Sequence, residues 1–132
     1  MSDTLDTILI PKEWRECFEL TELTEKDKEM SMVLTEKEEC TPAFPEGAEH
    51  VLNGYMDPIE IIDFPLRGKL MYITFIRRRW KLKGENRSHF NTYTFHRLGM
   101  KTTNEFGDFL KGLDRKKFDE FCRVWPVLEN LR

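Results

Sequence analysis

Apolar residues recur along this chain with two different periods, and the changes of period mark out its elements. Pro11 opens a stretch in which Trp14, Cys17 and Phe18 fall at helical spacing. This predicts a short helix with proline at its first position, where a missing N–H has no partner to lose. Met30, Met32 and Leu34 alternate with polar residues, the period of a half-buried strand. With Phe18-Glu19-Leu20-Thr21-Glu22-Leu23 before them and Glu25-Lys26-Asp27-Lys28 between, a β-hairpin turning on the charged tetrapeptide is the simplest account. A helix competes, because glutamate is a poor strand former. Residues 36–50 carry two prolines, one glycine and five glutamates without a period, which predicts a loop or linker. Ile59, Ile61 and Phe64 then predict a short strand ending at Pro65, and Gly68 releases the chain into the longest strand signal, Lys69 to Leu82.

Alternation gives that long strand two distinct faces. Leu70, Tyr72, Thr74, Ile76, Arg78, Trp80 and Leu82 share one; Met71, Ile73, Phe75, Arg77, Arg79, Lys81 and Lys83 share the other. The first half is apolar on both sides and should be buried. In the second half Arg77, Arg79, Lys81 and Lys83 form a row of cations about 6.5 to 7 Å apart, loosely the spacing of successive phosphates. Lys83-Gly84-Glu85-Asn86-Arg87-Ser88 reads as a hairpin loop, with His89 to His96 returning as a strand. Thr102-Thr103-Asn104-Glu105 has the form of a capping box, followed by Phe106, Phe109, Leu110 and Leu113 at helical spacing, with Gly112 as the stop. Asp114 caps a second helix with Phe118, Phe121, Cys122 and Trp125 on one face, ended by Pro126. The expected class is α+β: central antiparallel strands and hairpins, a short N-terminal helix and two C-terminal helices. An acidic subregion, residues 1–50, precedes a basic region, residues 51–132, within one compact domain.

Charge sharpens this division. Residues 1–62 hold 5 Lys/Arg and 16 Asp/Glu, a balance of 5 − 16 = −11; residues 63–132 hold 16 and 8, or +8. Between Arg67 and Lys101 there are ten basic residues and one acid, Glu85, inside a chain of net charge −3. Such a split points to a polyanion as partner of the basic half. Three adjacent guanidiniums, Arg77-Arg78-Arg79, repel one another unless an anion or the acidic half lies close. Arginine suits phosphate because its planar fork donates two hydrogen bonds at once. Trp80, Tyr93 and Phe95 are candidates either for the core or for stacking on bases.

Other chemistries find little support. No phosphate-cradling glycine loop, nucleophile elbow or helical histidine pair occurs, and His50, His89 and His96 lack partners at metal-ligand spacing, so neither a catalytic site nor a cofactor is expected. Cys17, Cys40 and Cys122 are widely spaced and include no CxxC pair, which argues against a disulfide framework and a zinc knuckle. There is no apolar run of membrane-spanning length, and the acidic start, Met1-Ser2-Asp3-Thr4-Leu5-Asp6, lacks signal-peptide order. A cytoplasmic location without membrane contact is the expectation.

The segment Ile62-Asp63-Phe64-Pro65-Leu66-Arg67-Gly68-Lys69-Leu70-Met71-Tyr72, followed by Arg77-Arg78-Arg79-Trp80, resembles the N-terminal region of bacterial insertion-sequence transposases. There an Asp-apolar-Pro-apolar-x-Gly-Lys turn leads into a strand ending in an arginine run and an aromatic. The stretch Thr102-Thr103-Asn104-Glu105-Phe106-Gly107-Asp108-Phe109-Leu110-Lys111 is similar to the helix that follows, so the resemblance covers residues 54–111. Zinc-bearing relatives carry cysteine pairs ahead of the turn and after the arginine run; this chain has none at either place, and no metal is implied. What the resemblance implies is recognition of an element's terminal inverted repeats in double-stranded DNA, with the catalytic core downstream, sometimes as a separate subunit. The residues that would contact nucleic acid are Arg67, Lys69, Arg77, Arg78, Arg79, Lys81, Lys83, Arg87 and Arg97. Two other readings stand beside it: an RNA or single-strand binder that stacks bases on Tyr93, Phe95 or Trp80, and a protein-interaction module whose acidic half masks its own basic strand.

Overall fold

The computed structural model describes residues 9–94 and 101–131. The fold is α+β. Helix α1 (Lys12–Arg15) precedes strands β1 (Phe18–Glu25), β2 (Glu29–Glu36), β3 (His50–Tyr55), β4 (Ile59–Leu66), β5 (Lys69–Ile76), β6 (Arg78–Leu82) and β7 (Ser88–His89); helices α2 (Asn104–Gly112) and α3 (Arg115–Val124) and a 3₁₀ turn (Pro126–Asn130) follow. Four strands pair in the order β1-β2-β5-β4 and three in the order β3-β6-β7. The chain divides into two compact units, one of residues 1–22, 33–59 and 74–93, the other of residues 23–32, 60–73 and 94–132. Each draws on both sides of residue 50.

Several elements form where the residue pattern places them. β1 and β2 flank the Lys26-Asp27-Lys28 turn, closed by a 2.8 Å bond from the Lys26 amide to the Glu29 carbonyl. In β2, Met32 and Leu34 are buried on alternate positions as expected, and the series continues to Glu36, which is fully buried. Thr103 caps α2, its hydroxyl accepting from the Phe106 amide at 3.3 Å, and Asp114 caps α3 through the Lys117 amide at 2.8 Å. The α2 cap lies one residue later than the capping-box reading placed it. Phe106, not Glu105, therefore occupies the third helical position, and Thr103 donates instead to the Asp63 carboxylate at 2.7 Å. Ile62, Leu70, Phe106, Leu110, Phe118, Cys122 and Leu128 form the core of the second unit. Phe118 and Cys122, four apart on α3, and Phe106 and Leu110, four apart on α2, supply its helical sides.

Other boundaries differ from the expectation. Pro11 is the cap of α1 rather than its first residue, and Phe18 begins β1, so helical spacing around Trp14 lasts a single turn. β4 runs through Pro65 to Leu66; it lies at the edge of its sheet, where a missing N–H is tolerated. The β4–β5 turn places Arg67 at φ 53° and Gly68 at φ 78°, both in the left-handed region that tight two-residue hairpins use. β3 falls partly in the stretch read as linker and shows no burial alternation that would have announced it. The long strand from Lys69 to Leu82 is two strands, separated at Arg77, with β5 in the four-stranded sheet and β6 in the three-stranded one. The return strand is also shorter: β7 covers Ser88–His89 alone, residues 90–94 are irregular, and Phe95 and His96 lie outside the described residues.

Candidate nucleic-acid interface

β6 is the middle strand of the three-stranded sheet, antiparallel to β3 on one side and β7 on the other. Trp80 faces Leu52 and His89 in register and is buried. Its ring meets His50 edge-on at 5.4 Å; His50 stacks on Phe44 at 4.9 Å, and Phe44 meets His89 at 5.4 Å. Trp80 is therefore an anchor for the sheet rather than a base-stacking platform. The three strands contain Arg78, Arg79 and Lys81 and no acid at all, since β3 reads His-Val-Leu-Asn-Gly-Tyr and β7 Ser-His.

Arg78 and Arg79 are held by polar groups of their own unit. Arg78 donates from its backbone amide to the Glu36 carboxylate at 2.9 Å and from Nε to the Glu36 carbonyl at 2.8 Å. The other carboxylate oxygen of Glu36 accepts from Asn91 Nδ2 at 3.1 Å and from the Tyr93 hydroxyl, so this wholly buried acid has hydrogen-bond donors on both oxygens. Burial first, then the hydrogen bond and charge of Glu36, raise the Tyr93 phenol well above its ordinary value. Tyr93 is thus committed to this network. Arg79 donates from Nε to the Asn53 carbonyl at 2.7 Å, across a bulge where the β3–β6 register shifts between Leu52 and Tyr55. Gly54 occupies that bulge at φ +83°, and a Cβ there would stand 3.0 Å from Arg79 Nη2. The bulge therefore favours glycine for its backbone, and the end of the Arg79 side chain lies close against it.

Arg77 lies at the break between the two strands. Its guanidinium carbon sits 5.8 Å from the Phe90 ring centre, and its buried Nε has no hydrogen-bond partner among the described residues. Arg78 sits over Tyr55 in the same way, at 5.8 Å. Both rings are open to solvent, Tyr55 at 50% and Phe90 at 42%. Neither ring stood out in the sequence; the Asn53-Gly54 turn signal beside Tyr55 was the available clue. Lys81 is half-buried and Arg87 is exposed, and neither side chain has a hydrogen-bond or ion-pair partner among the described residues. Lys83 pairs at the surface with Glu49 at 3.1 Å. His89 contacts Glu85 at 3.2 Å.

The remaining expected contacts fall elsewhere. Arg67, exposed at its turn, and Lys69 belong to the other unit. Lys69 Nζ closes the β1–β2 turn, donating to the Lys26 and Asp27 carbonyls at 2.6 and 2.9 Å and pairing with Glu25 at 3.4 Å. Arg97 lies outside the described residues. The single-file row of Arg77, Arg79, Lys81 and Lys83 is also revised. The break at Arg77 ends the alternation that defined it, and in β6 the cations Arg79 and Lys81 share a face while Arg78 shares Trp80's. Among the described residues no group of three His, Cys, Asp or Glu is placed to hold a metal ion, and no helix is long and apolar enough to cross a membrane.

No family model, curated protein or solved structure matches this chain. The geometry of the site therefore carries the functional reading.

Proposed function

We propose that the chain is the DNA-binding N-terminal part of an insertion-sequence transposase, which grips the duplex at terminal inverted repeats while a separate catalytic part, downstream or on another subunit, performs the strand chemistry in the cytoplasm. The observation that carries this reading is the acid-free sheet β3-β6-β7 with Arg77, Lys81, Lys83 and Arg87 on it or at its borders. Lys81 and Arg87 lack an internal partner among the described residues, Arg77 has an unpartnered buried Nε, and Lys83 has an exposed carboxylate that phosphate can displace. Arg78 and Arg79 are fixed through Nε, which leaves their terminal N–H groups to meet an anion in set positions. Four neutralised phosphates give a log K against log salt slope of about −3.6. Binding to an inverted-repeat duplex in preference to a scrambled duplex supports the reading; equal binding to both reduces it to non-specific DNA affinity.

One observation favours a second reading, the binding of unpaired bases. Tyr55 and Phe90 are exposed rings with guanidiniums beside them, an arrangement that can accept a base on its π face. Tyr93 and Trp80, the rings first considered for this role, are committed to the Glu36 network and the core. A single strand that displaces duplex from the protein, together with loss of binding in Tyr55→Ala, would select this alternative. Self-masking by the acidic residues is tested by Glu49→Gln rather than by removing residues 1–50, which would also remove β1 and β2.

A further inference from the structure

The three cysteines are far apart in sequence, yet the fold brings two of them together. Cys17 stands between α1 and β1, and Cys40 follows β2 after a short turn. The segments around them are tied at several points. The Lys37 amide donates to the Cys17 carbonyl at 2.8 Å, Lys37 Nζ to the Arg15 carbonyl at 3.1 Å, and the Cys40 amide to the Lys37 carbonyl at 3.2 Å. The Cys40 thiol donates to the Glu16 carbonyl at 3.6 Å, and the neighbouring Cys17 thiol is among the groups that raise it. Both cysteines are half-buried and reduced; Cys122, the third, is buried in the core of the other unit.

We infer that Cys17 and Cys40 are a thiol pair poised to close into a reversible intramolecular disulfide, with a small dialkyl disulfide such as oxidised glutathione as the oxidant. A disulfide demands sulfurs already within reach and backbones held at a fixed separation. The hydrogen bonds joining residues 15–17 to 37–40 hold the two segments side by side and bring the Cys40 sulfur to the residue next to Cys17 before any oxidant arrives. Nothing in the nucleic-acid reading is needed for this inference.

The chemistry runs in two exchanges. The Cys17 sulfur, having released its proton to solvent, attacks one sulfur of the oxidant. The oxidant's S–S bond breaks, and a mixed disulfide forms as one small thiolate leaves and takes up a proton. Cys40 then loses its proton and attacks the Cys17 sulfur of that mixed disulfide, expelling the second small thiol. Two protein thiols are oxidised and one small disulfide is reduced to two thiols. The order follows from the environment of Cys40, whose thiol is pushed up to about 12 by burial, by the hydrogen bond and charge of Cys17, and by Glu39 and Glu36. Capping Cys17 as a neutral mixed disulfide removes the charge on Cys17 that disfavours the Cys40 thiolate.

The pair also borders the network that holds Arg78. Asn91 Nδ2 donates both to the Cys40 carbonyl at 2.6 Å and to Glu36, and Glu36 accepts the Arg78 amide. A covalent link at Cys40 therefore fixes one end of the chain of bonds leading to the arginine segment.

The test uses the full chain equilibrated in oxidised and reduced glutathione buffers, quenched by acid, denatured, alkylated and mapped by mass spectrometry. The expected product is a peptide joined through Cys17 and Cys40, with Cys122 alkylated as a thiol, and dithiothreitol restores alkylation at all three positions. Cys40→Ser should instead accumulate glutathione on Cys17, and a native circular dichroism spectrum establishes that this variant is folded. Full alkylation of Cys17 and Cys40 in the oxidised buffer would overturn the inference, as would a link that includes Cys122 or a second chain. Failure to bind DNA in either redox state counts against the functional reading above and leaves the disulfide result intact.

Discussion

The two units are held by different kinds of force. In the unit that contains α2 and α3, seven buried residues, Ile62, Leu70, Phe106, Leu110, Phe118, Cys122 and Leu128, make one apolar cluster, and helix caps, the Thr103–Asp63 bond and turn contacts supply polar ties around it. In the unit that contains Arg77, Arg78 and Arg79, an aromatic core of Trp14, Phe18 and Phe75, with rings 4.8 to 5.4 Å apart, adjoins a polar system centred on a fully buried carboxylate. The rings of Phe18 and Tyr93 meet at 4.9 Å, so the aromatic core runs directly into the Glu36 network. An apolar core tolerates shape changes in proportion to volume, whereas a buried polar network fails when any one member is removed. The contrast assigns stability to the first unit and a precisely oriented set of cations to the second.

The largest expected effect lies in the apolar unit. Phe106→Ala should cost about 3 to 5 kcal/mol in urea unfolding, because a fully buried ring leaves a cavity between α2 and its neighbours. Hydrogen exchange should rise first in the amides of α2 and α3. A loss below about 1 kcal/mol would mean that the cluster is not the core of that unit.

Next comes the polar unit. Glu36→Ala strands the Arg78 amide, Asn91 and Tyr93 together, and should cost about 3 kcal/mol. Glu36→Gln keeps one acceptor oxygen and should cost less. Equal costs for the two variants would show that one acceptor oxygen cannot hold the network, and a loss below about 1 kcal/mol in both would show that the carboxylate matters little.

These two predictions also mark what the sequence could tell. The α3 face, Phe118, Phe121, Cys122 and Trp125, and the Met32 and Leu34 alternation were legible because apolar burial leaves a period in the chain. Glu36 left none. One acid among five in a stretch without period looks like solvent-facing charge until Arg78, Asn91 and Tyr93 are brought to it from later in the chain. The break at Arg77 was hidden for a related reason. No turn residue or proline interrupts the stretch from Leu70 to Leu82, and only the choice of partners, with β5 in one sheet and β6 beside β3, divides the strand. The charge asymmetry marks the segment on which the candidate site is drawn, but not which cations the fold engages internally. Lys69 and Lys81 look alike in sequence; the side chain of one closes a turn and that of the other has no partner among the described residues.

Smaller effects sharpen the contrast. Asp114→Ala removes the α3 cap and should cost about 1 kcal/mol, with helix amides beyond it exchanging faster. The cost should be the same at neutral and alkaline pH. The polar unit should respond to alkali through Tyr93. A phenol raised in the folded state stabilises fully below its unfolded value of about 10, and that contribution is lost as pH rises from there toward the folded value. Tyr93→Phe should therefore flatten the decline in stability above about pH 10. Tyr72 is raised in the same direction by burial and by Glu29 and Glu60 in the other unit, so some decline should persist in the variant. Identical alkaline profiles for the variant and the unaltered chain would remove Tyr93 from the account.

The central claim is that the acid-free sheet and its bordering loop meet a phosphate backbone through Arg77, Lys81, Lys83 and Arg87. Its most direct test is the salt dependence of duplex DNA affinity, measured by fluorescence anisotropy for the unaltered chain and for Lys81→Ala with Arg87→Ala. The account predicts a log–log slope of about −3.6 that falls to about −1.8 in the double variant, with the fold unchanged. A slope near zero, or a slope that the double variant leaves untouched, would contradict it.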